Sequence, residues 1–429
     1  DPQRAAESAA SLRLDPSRSH TDYRAMAQAE AQRNAEDGSG IDAVAIVTPN
    51  HLHAPVAHAF LDAGIHVICD KPLALTLAEA RGLAAKAQTT DRVFAVTYNY
   101  SGYPMVRRAR QLVKEGVLGP LRLVQVEYAQ DWLSTALEAD GQKQAAWRTD
   151  PALAGAAGCM GDIGTHAYQL ACFVSGLHAI EVSAELSAFV PGRTLDDNVQ
   201  AMLRFPGGVR GSLWASQVAS GSVNGLHLRV YGELGSIAFS QEQPDTLWLK
   251  RTGGEETRLW RGRTAHGPSE TVRVPAGHPE GFIEAFAQIY RDAATVVRAH
   301  QAGEREVAPE VVAQAVGVDV EHHHDEEEQH HHRAQVDQHQ GDGQEFGLEQ
   351  HPHGGRLREG QHEVEHRVHG VACGDNPEGR EQQHRREEVE ETGCDVHGSS
   401  ALCVGRSAVG SVGGLGGGDL FFVAVAHGQ

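Results

Sequence analysis

The sequence of 429 residues lacks long apolar runs, and it lacks the excess of basic residues that a nucleic-acid-binding protein needs. The apolar stretch at residues 420–426 is far shorter than the roughly 20 residues that span a membrane, so no transmembrane helix is predicted. The formal net charge of −20 offers no basic face to phosphate groups. We therefore exclude membrane proteins and nucleic-acid-binding proteins as classes, and no signal peptide is visible.

The sequence also lacks any C-x-x-C pair among its six cysteines. Cysteines in apolar or glycine-rich surroundings are typical of packed, reduced thiols rather than of disulfides. We therefore expect free thiols and a cytoplasmic protein.

Isoleucine is absent between residues 321 and 400, and only two leucines occur there. This segment holds 20 acidic and 7 basic residues, a net −13 that leaves about −7 for the rest of the chain. It cannot bury enough apolar surface to offset the entropy of ordering it, so we predict a disordered, low-complexity tail over residues 321–429. We expect the tail to be an unrelated extension or the product of a shifted reading frame.

One zinc-protease pattern, H-E-x-x-H, occurs at residues 362–366 within this tail. A tract so rich in histidine and glutamate matches the pattern by composition alone, and no apolar helix face surrounds it. We predict no functional metal site, and only adventitious metal binding by the histidines at 322–324 and 330–332.

A strand, a helix and a second strand are predicted between residues 41 and 72. Both flanking runs are short and rich in β-branched residues, and apolar residues recur between them with a helical period. Asn50 is predicted to cap the helix, and Gly64 is predicted to follow its last turn. Strands buried on both faces belong to a parallel sheet covered by helices.

In such sheets the ligand crevice lies beyond the carboxyl ends of the strands. Two tripeptides occupy that position here, Thr48-Pro49-Asn50 and Asp70-Lys71-Pro72. The next predicted strand, residues 93–98, ends at the same crevice with Tyr98-Asn99-Tyr100. We therefore expect the chemistry of the protein at these turns.

A second group of candidate residues lies in the glycine-rich segment 155–167. Asp162 and His166 are four residues apart, so on a helix they share one face and can point into one cleft. The small residues before them let a ligand or another backbone approach closely. A structural reading competes with this one, because a lone histidine is most often a satisfied core residue and an Asp–His pair at this spacing often forms only a local hydrogen bond.

The remaining patterns indicate an α/β protein with two folded domains. A helix at residues 76–88 is expected to bury Leu77, and a helix at 281–299 is expected to bury Phe282 and Phe286. Other helices are predicted at residues 2–12, 22–33 and 103–115. Runs rich in β-branched residues and joined by glycine-rich turns predict a large mixed or antiparallel sheet. These runs are residues 180–189, 198–205, 209–216, 226–231, 236–240 and 246–250.

The segment TPNHLHAPVAHAFLDAGIHVICDKPLALT resembles the glucose-fructose oxidoreductase / inositol dehydrogenase family, abbreviated Gfo/Idh/MocA. That family has a TPN-x-x-H turn, a Glu-Lys-Pro tripeptide and a glycine-rich run followed by Asp-x-Gly-x-His. The matching residues here are Asn50, His53, Asp70-Lys71-Pro72, Gly158, Asp162, Gly164 and His166. The departures are Ser101, where the family has arginine, and Ala156 and Ala157, where further glycines are usual.

The resemblance implies NAD or NADP as the cofactor and a Rossmann domain that opens with a strand and a G-x-G-x-x-G turn. No opening strand and no G-x-G-x-x-G turn are found, because the nearest glycine pattern, Gly38-Ser39-Gly40, leads into a strand instead of a helix. We expect the sequence, which begins with Asp1, to start after that opening. We therefore expect an incomplete Rossmann domain over residues 1–120, an α+β domain over 121–320, and two sheet edges left without partners. The residue that would select NAD or NADP is not found either.

The resemblance also implies the site residues. Oxidising an alcohol requires a hydride acceptor and a base for the hydroxyl proton. His166 suits the base, and Lys71 suits the cation that stabilises developing alkoxide charge. Asp162 would orient the imidazole and balance the charge, or hold a sugar hydroxyl. By the same matching, the cofactor-binding positions are Thr48, Asn50, His53, Asp70, Lys71, Asn99, Trp147 and Arg148.

The predicted function is hydride transfer between a nicotinamide and a sugar, polyol or related hydroxy compound. NAD-dependent glycoside hydrolysis on the same scaffold is one alternative, and a truncated chain that binds a ligand without turnover is another. The resemblance further implies a homo-oligomer that associates through the sheet of the second domain.

Overall fold

The computed structural model describes residues 1–263, 271–304 and 422–425, the last of these as backbone only. Its strands are β1 (Ala43–Ile46), β2 (His66–Cys69), β3 (Phe94–Val96), β4 (Leu121–Ala129), β5 (Glu181–Ser187), β6 (Asn198–Arg204), β7 (Arg210–Ser216), β8 (Gly225–Gly232), β9 (Gly235–Ser240), β10 (Thr246–Arg251), β11 (Glu256–Trp260) and β12 (Phe422–Val425). Its α-helices are α1 (Pro2–Ser11), α2 (Tyr23–Glu36), α3 (His53–Asp62), α4 (Leu77–Thr89), α5 (Pro104–Lys114), α6 (Lys143–Arg148), α7 (Pro151–Ala154), α8 (Thr165–Ser175) and α9 (Phe282–Gln301).

These strands form two sheets. A parallel sheet has the order β12-β1-β2-β3, and a mixed sheet of eight strands has the order β11-β10-β9-β8-β4-β7-β6-β5. The predicted α/β class, with a doubly covered parallel sheet followed by a large mixed sheet, is confirmed.

Strand β1, helix α3 and strand β2 form the predicted parallel unit. The two strands pair from Ala43 opposite His66 to Ile46 opposite Cys69. Gly64 lies just past α3 with a φ of +75°, a left-handed conformation that favours glycine, so this prediction is confirmed. The predicted capping role of Asn50 is wrong, because Asn50 begins a short 3-10 turn and α3 starts at His53 without a side-chain cap.

The outer edge of β1 is paired with a strand from far along the chain. β12 runs parallel to β1, with Phe422 opposite Ala43 and Val425 opposite Ile46. The prediction of an unpaired edge is therefore wrong at β1, because backbone groups of residues 422–425 supply the hydrogen-bond partners. The rest of the predicted tail, including the pattern at 362–366 and the histidine clusters, lies outside the described residues.

Strand β4 lies in the middle of the large sheet and makes that sheet mixed. It pairs in parallel with β7 and antiparallel with β8, while the pairs farther out are antiparallel. The predicted turns at 206–208 and 232–235 connect antiparallel neighbours, as expected. The sequence patterns missed β11 (Glu256–Trp260), a short strand in which only Leu259 is buried and two of the five residues are charged.

Helices cover one face of the large sheet and both faces of the parallel sheet. Side chains of α5 and α8 pack with Val124, Val126 and Tyr128 of β4. Helix α9 follows the large sheet in the chain but packs on the parallel sheet, where Ala293 and Val297 meet Ile68 of β2. None of the described helices is both long and apolar enough to cross a lipid bilayer.

Two predicted buried positions are wrong. Leu77 is 65% exposed because it occupies the first turn of α4, whose buried residues, Leu83 and Ala84, come later in the helix. Phe282 is 50% exposed because it is the first residue of α9, whereas Ile289 farther along is fully buried. In both helices the predicted apolar period is present, and the exposed residue is the first one of the helix.

Candidate active site

Three turns lie together at the carboxyl edge of the parallel sheet because the strands that carry them run in the same direction. Thr48 follows β1, Asp70-Lys71-Pro72 follows β2, and Asn99 follows β3. His53 joins the first two turns: its Nδ1 lies 2.7 Å from the carbonyl oxygen of Pro72, and its Nε2 lies 2.8 Å from that of Thr48. The ring is 1% exposed, so it braces the two turns rather than facing the crevice.

Polar atoms without partners lie at the same edge. Thr48 Oγ1 and Asn99 Nδ2 are buried and have no hydrogen-bond partner in the part of the chain that the structure describes. Buried polar groups are normally satisfied, so such atoms mark places where a polar ligand is expected. Asp70 differs from them, because its Oδ1 accepts a hydrogen bond from Thr97 Oγ1, and burial raises the pKa of its carboxyl. Asn50 also has a partner, since its Nδ2 donates to the Ala154 carbonyl at 3.2 Å.

Lys71 and Asp162 form an ion pair although 91 residues separate them in the chain. Lys71 Nζ donates to Asp162 Oδ1 at 2.9 Å and to the Asp162 carbonyl oxygen at 2.8 Å. Both side chains are mostly buried, which strengthens a charge-assisted contact. The structure therefore brings a crevice turn and the glycine-rich segment together.

The second carboxylate oxygen of Asp162 is also occupied. Arg148 Nε donates to Asp162 Oδ2 at 3.1 Å, and Gln217 Nε2 donates to the same oxygen at 2.9 Å. The Arg148 guanidinium lies over the Trp147 ring at 4.2 Å and over the Trp132 ring at 5.8 Å. Arg148 thus contacts the Lys71–Asp162 pair directly, while the Trp147 indole donates to Gln144 Oε1 at 3.1 Å.

These contacts decide the charge of Asp162. Burial raises the pKa of the Asp162 carboxyl, but Lys71 and Arg148 together lower that pKa below its ordinary value. Asp162 is therefore ionised at neutral pH and carries one negative charge between two cations. No group of three or more histidine, cysteine, aspartate or glutamate side chains within residues 1–263 and 271–304 has a geometry that could hold a metal ion.

His166 lies beside this ion pair in an aromatic enclosure. Its imidazole makes edge-on contacts with the rings of Tyr98, Tyr100 and Tyr128, at centroid distances of 5.7, 4.9 and 6.4 Å. Burial and then the charge of Lys71 lower the pKa of His166 well below its ordinary value, and the nearby Asp162 only partly offsets them. His166 is therefore neutral at pH 7, ready to accept a proton.

The predicted orienting contact between Asp162 and the imidazole of His166 is not found among the described residues. Asp162 lies in a π-helical turn, Met160–Gly164, and His166 lies in the first turn of α8, so both come from one continuous helical segment. The structure gives no hydrogen bond between them among the described residues, since Asp162 is taken by Lys71, Arg148 and Gln217. Asp162 therefore contacts Lys71 directly and makes no hydrogen bond with the imidazole among the described residues.

The glycine-rich run before Asp162 is required by close packing. A Cβ placed on Gly158 would lie 2.3 Å from the carbonyl oxygen of Asp196. The Asp196 carboxylate accepts hydrogen bonds from the backbone N–H groups of Gly158 and Met160, both at 2.7 Å. This confirms the prediction that small residues here permit close approach of another backbone, and it anchors the turn that carries Asp162.

Four site residues were not identified from the sequence: Gln217, Trp132, Tyr100 and Tyr128. Tyr100 stands in the Tyr98-Asn99-Tyr100 step at the end of a predicted strand, so a signal for it was present. Gln217 directly follows β7, and no motif distinguishes it. Its role depends on the pairing of β7 within the large sheet, which sequence patterns do not predict.

Comparisons with known proteins identify the family. Residues 1–98 match the family model described as an oxidoreductase family with an NAD-binding Rossmann fold. Residues 106–238 match the model of the GFO/IDH/MocA C-terminal domain. The uncharacterized oxidoreductase YfiI of Bacillus subtilis is 31% identical over 328 residues, which cover 75% of this chain and 82% of that protein.

The chain belongs to the Gfo/Idh/MocA family of oxidoreductases. The levoglucosan dehydrogenase of Pseudarthrobacter phenanthrenivorans is 33% identical over 272 residues, covering 58% of this chain and 66% of that enzyme. The inositol dehydrogenase homologue of Azotobacter vinelandii, solved with NADH and myo-inositol, is 33% identical, with a TM-score of 0.66 over 73% of this chain and 79% of that one. The family predicted from the sequence is therefore confirmed.

Proposed function

We propose that this chain transfers a hydride between a nicotinamide cofactor and a CH–OH group of a sugar, polyol or related compound, with Lys71, Asp162 and His166 as its catalytic residues. The observation that carries the proposal is the contact of Lys71 Nζ with Asp162 Oδ1 at 2.9 Å beside the buried imidazole of His166. The neutral base takes the alcohol proton, the cation stabilises the developing alkoxide, and the carboxylate holds the cation in place.

His166 is the base. Its Nδ1 is buried without a partner in the described ranges, so Nε2 is the nitrogen that takes the hydroxyl proton of the substrate. In the neutral ring Nδ1 then carries the hydrogen, and Nε2 presents a lone pair. The lowered pKa of His166 keeps the ring unprotonated before the reaction begins.

Lys71 places its positive charge where the alkoxide develops, and Asp162 keeps Lys71 there. The Asp162 carboxylate accepts hydrogen bonds from three side chains, those of Lys71, Arg148 and Gln217. Together they fix the carboxylate in one orientation. The Lys71 ammonium has three hydrogens, and two of them go to Asp162. The third is free to reach the oxygen of a bound alcohol.

The crevice residues fit a nicotinamide. Thr48 Oγ1 and Asn99 Nδ2 are buried polar atoms without partners in the described residues, and they suit the carboxamide or ribose of such a ligand. A bound nicotinamide supplies the hydride acceptor. We assign Thr48, Asp70 and Asn99 to its binding, Asn50 and His53 to the shape of the crevice, and Trp147 and Arg148 to the wall behind Asp162.

The substrate class comes from relatives that are named for sugars and polyols. The compounds named for these two relatives, levoglucosan and inositol, have hydroxyl groups on a ring. The Lys71–Asp162 ion pair with the adjacent His166 suits such a hydroxyl group.

We place the domain division near residue 120. We also propose that copies of the chain associate through the face of the large sheet that the described helices do not cover. Cys69, Cys159 and Cys172 are buried and form no disulfide among the described residues, which suits the reducing cytoplasm.

Cofactor binding and turnover test the proposal together. NAD(H) and NADP(H) are titrated by fluorescence, and reduced cofactor is followed with myo-inositol, levoglucosan and a panel of aldoses. The proposal expects saturable binding and net reduction with at least one of these compounds. Cleavage of a glycoside without net reduced cofactor would favour the hydrolase instead, and absence of saturable binding would leave a chain without this catalysis.

A further inference from the structure

The orientation of His166 is not set by a carboxylate. Asp162 has its oxygens occupied by other donors, and Nδ1 of His166 has no hydrogen-bond partner within the described residues. The contacts that remain are aromatic, and Tyr100 is the nearest ring, with its centroid 4.9 Å from that of the imidazole and an interplanar angle of 76°. A ring contact holds a base in one direction only if the aromatic ring is itself fixed.

The hydroxyl of Tyr100 is fixed by a directed hydrogen bond. Tyr128 Oη donates its single hydrogen to Asn224 Oδ1 at 2.7 Å. The close contact between the two tyrosine oxygens must therefore use the hydrogen of Tyr100, which donates to Tyr128. The same Asn224 oxygen also accepts from Gln130 Nε2 at 2.8 Å, so the acceptor end is held from two sides.

The network then returns to its starting point. Asn224 Nδ2 donates to Gln241 Oε1 at 3.0 Å, and Gln241 Nε2 donates to the hydroxyl oxygen of Tyr103 at 3.1 Å. The Tyr103 ring stacks on Tyr100, with centroids 6.0 Å apart and planes within 11°. This closed loop connects the turn after β3 with Tyr128 on β4, with Asn224 just before β8 and with Gln241 just after β9, and so it joins the crevice turn to the large sheet.

We propose that Tyr100 is a positioning residue for His166, and that the loop of Tyr100, Tyr128, Asn224, Gln241 and Tyr103 fixes the direction of the imidazole. The consequence for proton transfer rests on the proposed function, but the effect on the imidazole does not. Burial raises the pKa of the Tyr100 and Tyr128 hydroxyls, so both remain neutral while His166 titrates. The loop therefore has the same hydrogen-bond pattern across the working pH range.

The test removes one hydroxyl and keeps the ring. In Tyr100→Phe, the Cε1–H NMR signal of His166 is expected to shift and broaden, because the ring beneath the imidazole loses its anchor. Misplacing a base lowers kcat more than it changes substrate binding, so we expect about a tenfold loss of kcat with KM changed less than about twofold. Tyr231→Phe is the matched control, since Tyr231 lies on β8 outside the loop and both measurements should remain at wild-type values.

A double-mutant cycle tests whether the residues act as one unit. Tyr128→Phe removes the acceptor for Tyr100 and should reproduce the effect of Tyr100→Phe on the His166 signal. The double variant should differ little from either single variant, because the loop is already open in each. Should Tyr100→Phe fail to fold, the single variant Tyr128→Phe still tests the proposal through the His166 signal.

The outcomes separate this inference from the proposed function. An unaltered His166 signal in both single variants, or additive effects on the signal in the double variant, would overturn the positioning role. A wild-type chain that turns over no substrate but shows the shifted His166 signal in Tyr100→Phe would support the positioning role while the proposed function fails.

Discussion

Lys71 is the residue on which the charge balance of the site depends, because it faces both the carboxylate and the carbonyl of Asp162. In Lys71→Met the developing alkoxide loses its cation, and we expect kcat to fall about 10²–10³-fold with a smaller change in KM. Steady-state kinetics with the best substrate measures this. Lys86→Met is the matched control, since Lys86 pairs with Asp62 between helices α3 and α4. A Lys71→Met chain that kept more than about a tenth of its activity would contradict the assigned role.

His166 is expected to make both kcat and stability depend on pH. Its pKa lies below the ordinary 6.5 because of burial and Lys71, so the acid limb of the kcat–pH profile is expected below pH 6.5. The folded state favours the neutral imidazole of His166. The contribution of this preference to the stability of the fold is therefore present above pH 6.5, and it is lost as the pH falls toward the lowered pKa.

Chemical denaturation checks the second expectation. Between about pH 7 and about pH 5, the wild type should lose more unfolding free energy than His166→Gln, whose side chain does not titrate. Equal losses in the two proteins would show that His166 titrates normally in the folded state.

At the scale of elements, the turn that carries Asp162 depends on a glycine. In Gly158→Ala the new Cβ would lie 2.3 Å from the Asp196 carbonyl oxygen, so the turn must move and Asp162 with it. We expect a loss of about 1–3 kcal/mol in stability, measured by urea denaturation, together with a large loss of kcat. Gly161→Ala is the control from the same turn, because its Cβ meets only Ala157 at an ordinary 3.6 Å. Equal effects of the two substitutions would contradict this account.

Local patterns predicted the elements well where the cause is local. Gly64 ends α3 because its positive φ favours glycine, and this could be derived from the segment alone. Asn50 was assigned wrongly as a cap because its side chain bonds the Ala154 carbonyl, 104 residues away. The sequence period likewise predicts the apolar face of α4, but it does not show that Leu77, at the first position of the helix, is exposed.

In the candidate site too, the sequence predicted some features and could not predict those that depend on the whole fold. The family pattern named Lys71, Asp162 and His166, and the structure brings Lys71 within 2.9 Å of Asp162. It did not predict that Gln217 would take the second oxygen of Asp162, since that contact requires the register of β7 in the large sheet. Nor did it predict that burial would move the pKa of His166 away from its usual value, because burial is a property of the whole fold.

At the scale of the whole molecule, one face of the large sheet is not covered by any helix of the described residues. Leu123, Met202 and Trp248 are 44%, 68% and 37% exposed on the side away from α5 and α8. If two copies meet there as proposed, Met202→Glu would bury a charge and weaken association at least about tenfold, a cost of about 1.4 kcal/mol. Sedimentation velocity across a concentration series measures it, with Leu77→Glu as an exposed control on the parallel-sheet side. A wild type that sediments as one copy at every concentration would refute the proposed association.

Helix α9 has a consequence for how the protein is made. Synthesis on a ribosome begins at the amino terminus, so strands β1, β2 and β3 emerge long before the helix whose Ala293 and Val297 cover Ile68 and Ala95. Until α9 has left the exit tunnel, that apolar surface is bare and open to chaperones or to other nascent chains. The nucleotide-binding half therefore matures last, even though it is translated first.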